Sequence, residues 1–445
     1  MTYFNTFYTA SFLIRCYYEV AIMLKRSIFL LLLLSSSFVS SQSLAEHQLV
    51  TASDTLKKHL FLKSIGTGYF PTKYFNFDLR YLIKFNQYEG IRTGIGGVTN
   101  NDFSEKYRIN SYVVYGFRDN RFKYSIGGGM RLSENTNTWL NLAYTDDLQE
   151  TGSTKYITDD RVFQFFEPRL LNIDLFHKHV TTALTLEHQI SDHLLSKLDF
   201  AVSDIDPTYN YAYVLNGKNY STFNLTAGIL GFQWSPFSRF KETILGTQEV
   251  KSGFPKFSFQ YTKSFHDVIN GDFNFTKLDF RTIFEIGNEN SHFAQIILVS
   301  GMAIGDTPLT HLYHAYPNNI RKEQILQRFS VAGLNSFETM YFNEFFSDKF
   351  FTFQLKYFIK PFQVTDRFKP QLVLITRYAL GDMDNQDRHQ GITFDTLNYG
   401  YTESGFELNK LLYGFGLSFT YRYGAYYLPD FSDNIAFKFT FNVSL

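Results

Sequence analysis

The residues of this chain that could do chemistry are few and scattered. Its 11 histidines are scattered, and at His311-Leu312-Tyr313-His314 a helical turn would put two imidazoles on one face as metal ligands. No third ligand lies nearby in sequence, and a polar loop surface is the competing reading. Asp382, Asp384, Asn385 and Asp387 have the spacing of a calcium loop, but Thr393 stands where the bidentate Glu is needed. An acidic, solvated outer loop with weak affinity for divalent ions follows. Gly127-Gly128-Gly129 precedes no helix, so it is a strand bend or a site of close packing and not a phosphate cradle. No Gly-x-Ser-x-Gly elbow occurs. No catalytic, cofactor-binding or metal-binding residue is therefore assigned, and the chain reads as a non-enzyme.

The elements around these residues say more. Aromatic residues make up 19% of the 445-residue sequence, with 50 Phe and 31 Tyr. The 42 basic and 42 acidic residues balance, so no net field points to nucleic acid. A hydrophobic content of 44% excludes a mainly disordered chain. A single cysteine, Cys16, excludes a disulfide framework. From Met23, Lys25 and Arg26 lead into the apolar run Ile28–Leu34 and then Val39-Ser40-Ser41, the pattern of a secretory signal peptide. The run is too short to span a bilayer as a helix. The expected organisation is a signal peptide over 1–41 with a true start at Met23, a short periplasmic segment over 42–73, and one domain over 74–445. The 42–73 segment is too short to fold alone without staples.

Beyond Gln42 no run of 18 apolar residues occurs, and the recurrent signal is period-2 alternation. Ile435, Phe437, Phe439, Phe441, Val443 and Leu445 share one face, opposite Lys438, Thr440, Asn442 and Ser444. Phe122, Tyr124, Ile126, Met130 and Leu132 alternate with Arg121, Lys123, Ser125 and Arg131. Leu411, Tyr413, Phe415, Leu417, Phe419, Tyr421 and Tyr423 form a third such row. Successive strand side chains point to opposite faces, so each segment has one apolar and one polar surface. The pattern predicts strands near 74–84, 89–98, 106–117, 121–132, 137–146, 179–190, 193–203, 220–234, 256–265, 273–287, 292–302, 348–360, 369–380, 400–410, 412–423 and 433–445, with phase slips near Leu230 and Lys277.

Two all-β architectures compete. Sandwich strands are short and turn every 8–12 residues, whereas several of these segments are long enough for a tilted membrane strand of about 9–11 residues. Gaps after odd-numbered strands (147–178, 303–347, 381–399) are long and most gaps after even ones are short, as in a barrel with periplasmic termini. The gap 235–255 and the tight Asp119-Asn120 turn break that rule. The expected fold is an all-β, transmembrane antiparallel β-barrel of about 16 strands. Closure follows from energetics, since unpaired backbone groups in hydrocarbon cost several kcal/mol each.

Several stretches resemble a known family: Tyr88-Glu89-Gly90-Ile91-Arg92, Tyr115-Gly116-Phe117-Arg118-Asp119, Ala332 through Met340, Asn343 through Asp348, and Glu403-Ser404-Gly405 through Tyr421-Arg422-Tyr423-Gly424 to Asp433-Asn434. Over roughly 75–445 the chain resembles an outer-membrane barrel family of unknown function whose members usually carry an N-terminal carboxypeptidase-regulatory-like β-sandwich. That family is distantly similar to the sixteen-stranded barrels of outer-membrane protein assembly and two-partner secretion. The resemblance implies that the loop between strands 11 and 12 folds into the lumen and carries an Arg-Gly-aromatic tip. The longest loop here, 303–347, holds that place with Gly333, Asn335, Ser336, Phe337, Glu338 and Glu344. Phe337-Glu338-Thr339 stands where the Arg-Gly would be, so the arginine's pairing to the wall is absent. Neither the usual β-sandwich nor periplasmic repeats are expected within 42–73.

If the loop plugs the lumen, Glu338 and Glu344 should meet the inward cations Arg121, Lys123, Arg131, Lys356 and Arg422; otherwise these charges are solvated in a wet pore. The resemblance further implies a weak seam between Tyr74–Lys84 and Asn434–Leu445, with Ile435, Phe437, Phe439, Phe441, Val443 and Leu445 on the last strand, where an incoming strand could pair. The expected partners are the outer-membrane lipid bilayer and exported or inserted proteins or lipids, with no nucleic acid and no cofactor. Assembly or translocation at the outer membrane is the leading function. A passive diffusion channel, a structural surface barrel with binding loops, and a lipid hydrolase are the alternatives.

Overall fold

The computed structural model describes residues 68–159, 168–243, 246–288, 291–320, 331–365, 368–412 and 414–441. The expected signal peptide, most of the 42–73 segment, Tyr413, Val443 and Leu445 lie outside them. One 18-stranded sheet dominates. Two of its strands, Phe75–Asp78 and Ile83–Asn86, are halves of one interrupted strand, β1, and Tyr69–Pro71 adds outside the first half. Sixteen positions remain. They continue as β2 (Gly90–Thr99), β3 (Tyr107–Gly116), β4 (Arg121–Ser133), β5 (Thr138–Glu150), β6 (Phe176–Ser191), β7 (Leu194–Pro207) and β8 (Phe223–Trp234). The second half comprises β9 (Lys256–Ser264), β10 (Phe275–Gly287), β11 (Phe293–Gly305), β12 (Lys349–Phe358), β13 (Gln371–Asp382), β14 (Tyr401–Leu412), β15 (Phe415–Gly424) and β16 (Ile435–Phe441). Each pairs antiparallel with the next in chain order. This is the strand order of a large up-and-down barrel.

Every segment expected from the alternation corresponds to one of these strands. The first is broken because Asp78 accepts a hydrogen bond from the Arg80 amide at 2.9 Å and caps a 3₁₀ turn over Leu79–Tyr81. The turn lays Tyr81 against Tyr112, with centroids 4.4 Å apart. Gly96 makes room, since a Cβ there would lie 2.7 Å from the Tyr81 ring. The phase slip near Lys277 also has a cause. Phe275 and Lys277 are both buried while Leu278 is exposed, and Phe275 joins a core built by the loops at that end of the sheet.

The distribution of side chains is inverted relative to a water-soluble sheet. In β4, Phe122 (64% exposed) and Ile126 (61%) flank the buried Lys123 (4%). Arg377, Glu403, Arg422, Lys438, Lys277 and Asp279 are all buried, while Leu142, Ile286, Phe406 and Phe437 are exposed. Gly127 and Gly129 are close-packing positions on the polar face, because a Cβ at either would lie 2.4 or 2.2 Å from the Asn110 or Asn141 amide oxygen. They lie within β4, as the strand reading requires.

The ends of the sheet differ. The overlong connection at 235–255 is a two-stranded ribbon, Arg239–Thr243 against Gly246–Lys251. It folds back on the neighbouring turn through Phe240 N–H donating to Asp192 O at 2.8 Å and Asn137 Nδ2 donating to Glu242 Oε2 at 2.6 Å. At the other end the long loops build an apolar dome. It contains Tyr211, Tyr213, Phe273, Leu309, Leu312 and Phe394, above a small sheet in which Ala212–Leu215 pairs with Lys218–Tyr220 and with His389–Gln390.

His389 is buried there and shares a hydrogen bond with the Tyr211 hydroxyl at 2.9 Å. Burial, followed by the Arg388 cation, pushes its pKa from 6.5 down to about 4. An imidazole lowered in the folded state binds fewer protons than the unfolded chain between those values, so stability falls as pH drops through that window. The expected loss reaches about 2 kcal/mol by pH 5. Thermal unfolding from pH 7.5 to 5 checks this: His389→Gln should flatten part of the slope, and an unchanged slope would refute the assignment.

Candidate functional site: a loop pinned to the charged face

The described parts of the connection between β11 and β12, 306–320 and 331–348, do not stand away from the sheet. Pro317–Asn319 and Phe337–Tyr341 form a parallel ribbon, and Phe337, Glu338, Thr339 and Met340 are buried. What holds this ribbon is a set of charges on the buried face of β13 to β16.

Glu403 of β14 is the central acceptor. It pairs with Arg377 of β13 at 2.6 Å, both side chains being fully buried. Its carboxylate also receives the Glu338 amide at 3.0 Å, the Thr339 amide at 2.9 Å and the Thr339 hydroxyl at 2.6 Å. The same hydroxyl bonds to Tyr401 at 2.7 Å. A buried carboxylate is tolerable only when paired and hydrogen-bonded, and here loop backbone supplies half of what it needs.

Glu338 is the reciprocal group on the loop. Its carboxylate meets Lys438 of β16 at 2.8 Å and accepts from the Gly333 amide (3.0 Å), Ser336 hydroxyl (2.7 Å) and Asn318 Nδ2 (2.9 Å). Burial alone would raise its pKa, but Lys438, then Arg377, then the Ser336 hydroxyl hold it below the ordinary carboxylate value. Its stabilisation is therefore present above that ordinary range and is lost as pH falls through the lowered value.

Glu344 takes Arg422 of β15 in a two-point contact at 2.7 and 3.1 Å. The Asn335 carbonyl accepts from Gln354 Nε2 at 2.7 Å. On the opposite flank, Glu150 at the end of β5 receives Arg169 at 2.5 Å and His314 at 2.6 Å, and Arg169 also bonds to Pro317 O at 3.1 Å. The loop is thus gripped from two sides.

Gly333, Asn335, Ser336, Phe337, Glu338 and Glu344 all lie in this region. Of the cations expected to face the loop, only Arg422 pairs with it. Lys123 is taken by Glu89 and Asp119, at 2.7 and 2.5 Å, and Lys356 by Glu407 at 3.4 Å. Arg131 lies over the Trp139 ring at 5.8 Å, and Arg121 is exposed at a strand end. The loop contacts of Arg377, Lys438 and Glu403 do not follow from the alternation alone. Two of them carry a signal in the sequence: Lys438 sits in the polar row of the last strand, and Glu403 opens the Glu403-Ser404-Gly405 stretch. Relative to an arginine-tipped loop the polarity is reversed: the loop brings the carboxylate and the wall brings the cations.

His311 and His314 do not form a helical metal pair. The 3₁₀ turn covers only Leu309–His311; His311 bonds to Thr310 at 2.8 Å and His314 to Glu150. Asp384 is paired with Lys349 at 2.5 Å. Among the described residues no group of three or more His, Cys, Asp or Glu is placed to hold a metal ion. Ile435, Phe437 and Phe439 lie on β16; Ala436 and Lys438, between them, are buried while Phe437 is exposed.

No protein-family model matches the chain, and no curated protein matches it in sequence. Among solved structures it is similar to BamA from Haemophilus ducreyi lacking POTRA domains 1–3, with a TM-score of 0.49 and 10% identity over 90% of this chain and 79% of that one. It is also similar to CdiB from Escherichia coli (TM-score 0.42, 10% identity, 80% of this chain) and to CdiB from Acinetobacter baumannii (0.39, 12%, 80%). The chain spans 60% and 57% of those two CdiB chains. In its arrangement of strands the chain is distantly similar to the BamA and CdiB outer-membrane barrels.

Proposed function

We propose that the chain is an outer-membrane barrel of the assembly or translocation type, which moves protein or lipid into or across that membrane. On this reading residues 1–41 direct export and are removed, 42–73 lie in the periplasm, and β1 to β16 curl into a cylinder with its exposed apolar face in lipid, β1 and β16 facing one another across a seam. The observation that carries the reading is the combination of an apolar exterior with a charged face already occupied by a pinned loop. An open diffusion channel needs a hydrated path along that charged face. Here Arg377, Arg422 and Lys438 are spent on Glu403, Glu344 and Glu338.

The first and last strands form the seam, the place where backbone pairing can be exchanged for pairing with an incoming strand. Cysteine pairs placed across β1 and β16 test this in the native host. A tether should deplete outer-membrane or surface proteins, with recovery on reduction; an unchanged envelope would remove translocation as the task. Planar-bilayer recordings separate the channel alternative. Deleting 310–342 should raise single-channel conductance several-fold, and equal conductance before and after would show that the loop obstructs nothing.

A further inference from the structure

At each end of the sheet a described segment other than the opposite strand pairs with part of the end strand. On the β1 side, Tyr69–Pro71 lies antiparallel to Phe75–Asp78, with Tyr69 opposite Asp78 and Pro71 opposite Asn76. The other side of that half-strand is taken by β2. On the β16 side, Phe439 pairs with Leu417 of β15 and, at its outer edge, with the loop. Val331 forms a parallel bridge to Phe439, and the Ala332 amide donates to the Phe439 carbonyl at 2.7 Å. Backbone groups of a strand lie in the plane of its sheet, so residues 331–332 do not merely touch the last strand. They stand where the next strand would stand.

The short segment is held there by the pinned loop. Val331 O accepts from Asn318 Nδ2 at 3.0 Å. The Gly333 amide donates to Glu338 at 3.0 Å, and Glu338 is fixed by Lys438, a neighbour of Phe439 on β16 itself. Lys438 Nζ also donates to the Asn318 carbonyl. Both ends of the latch are therefore anchored to the polar face of the strand whose edge it covers.

We infer that Val331–Ala332 is a surrogate strand that occupies the outer edge of β16 and must leave before any other strand can take that edge. The inference rests on the reading of β1 and β16 as a seam. It adds a regulatory consequence: the loop reports on the interior to the seam, because a ligand or charge that displaces Glu338 from Lys438 also frees the edge. An uncovered edge would invite pairing between copies, so the latch also protects the resting protein.

The test uses the full chain folded in lipid vesicles. In the double variant Val331→Cys/Phe439→Cys, mild oxidation should join the two positions, whereas Val331→Cys/Phe419→Cys, one strand further in, should not. Ala332→Pro removes the amide donor and should speed hydrogen exchange in 435–441 about tenfold or more, with β4 unchanged. A fluorescent peptide copying residues 74–86 is the probe for the edge. Ala332→Pro should capture it at least tenfold better than the wild type, the oxidised variant should not capture it, and reduction should restore capture. No preferential disulfide together with unchanged exchange overturns the latch. If the disulfide forms and exchange responds but no variant captures the peptide, the latch stands and strand capture at the seam falls.

Discussion

Glu403→Ala should release residues 333–344 from the wall and cost about 3–5 kcal/mol, the loss expected when one partner of a buried pair is removed. The size follows from what is left behind. Arg377 has no exposed side-chain surface and would keep its charge without its carboxylate. The Glu338 and Thr339 amides and the Thr339 hydroxyl would each lose their acceptor, and buried donors without partners are costly individually. Glu403→Gln retains shape and one acceptor oxygen, so it should restore the loop contacts in part while leaving Arg377 unneutralised. Removing both charges, Arg377→Met with Glu403→Met, should recover the ion-pair part of the loss and not the part due to the loop amides. Urea unfolding in lipid, followed by the fraction migrating as folded protein on unheated gels, measures the cost; limited proteolysis within 333–344 locates it. A Glu403→Ala protein with wild-type stability and an uncut loop would show that the carboxylate does not pin the loop.

Arginine at Ile126 should cost about 2–4 kcal/mol, and arginine at Phe122 only about 0–1 kcal/mol. Both side chains are more than half exposed on the same face of β4, so in water neither substitution should matter by more than about half a kcal/mol. The difference between them is a depth effect that only a bilayer supplies: Ile126 is near the middle of its strand, whereas Phe122 is next to its start, beside the tight turn. Refolding titrations into vesicles give the two values directly. Equal small costs would place the apolar face in water or against protein, and would end the membrane reading with it.

Period-2 alternation made the strands legible because it is a local property. In β4, β15 and β16 each residue's face follows from its neighbours alone, and the sheet uses the same faces. The pattern breaks where a local cap or hairpin, or a non-local contact, overrides it. Asp78 capping a 3₁₀ turn divides the first strand, and Phe275 turns inward because the loop dome offers it an apolar site. The 235–255 connection looked too long for a turn because its own hairpin pairs with itself.

The sequence by itself determined which residues form strands, which face of each is apolar, and that the connection after the eleventh is the longest. Those features depend on residue type and spacing within a dozen positions. Only the tertiary structure decided that Glu338 meets Lys438, that Glu403 receives two loop amides, and that residues 331–332 lie on the edge of β16. Each of those pairings joins groups many tens of residues apart in the chain. Any inward cation could have served a loop carboxylate equally well by its chemistry. The choice among them was made by the register of β13 to β16 and by the cost of leaving a buried charge or amide without a partner.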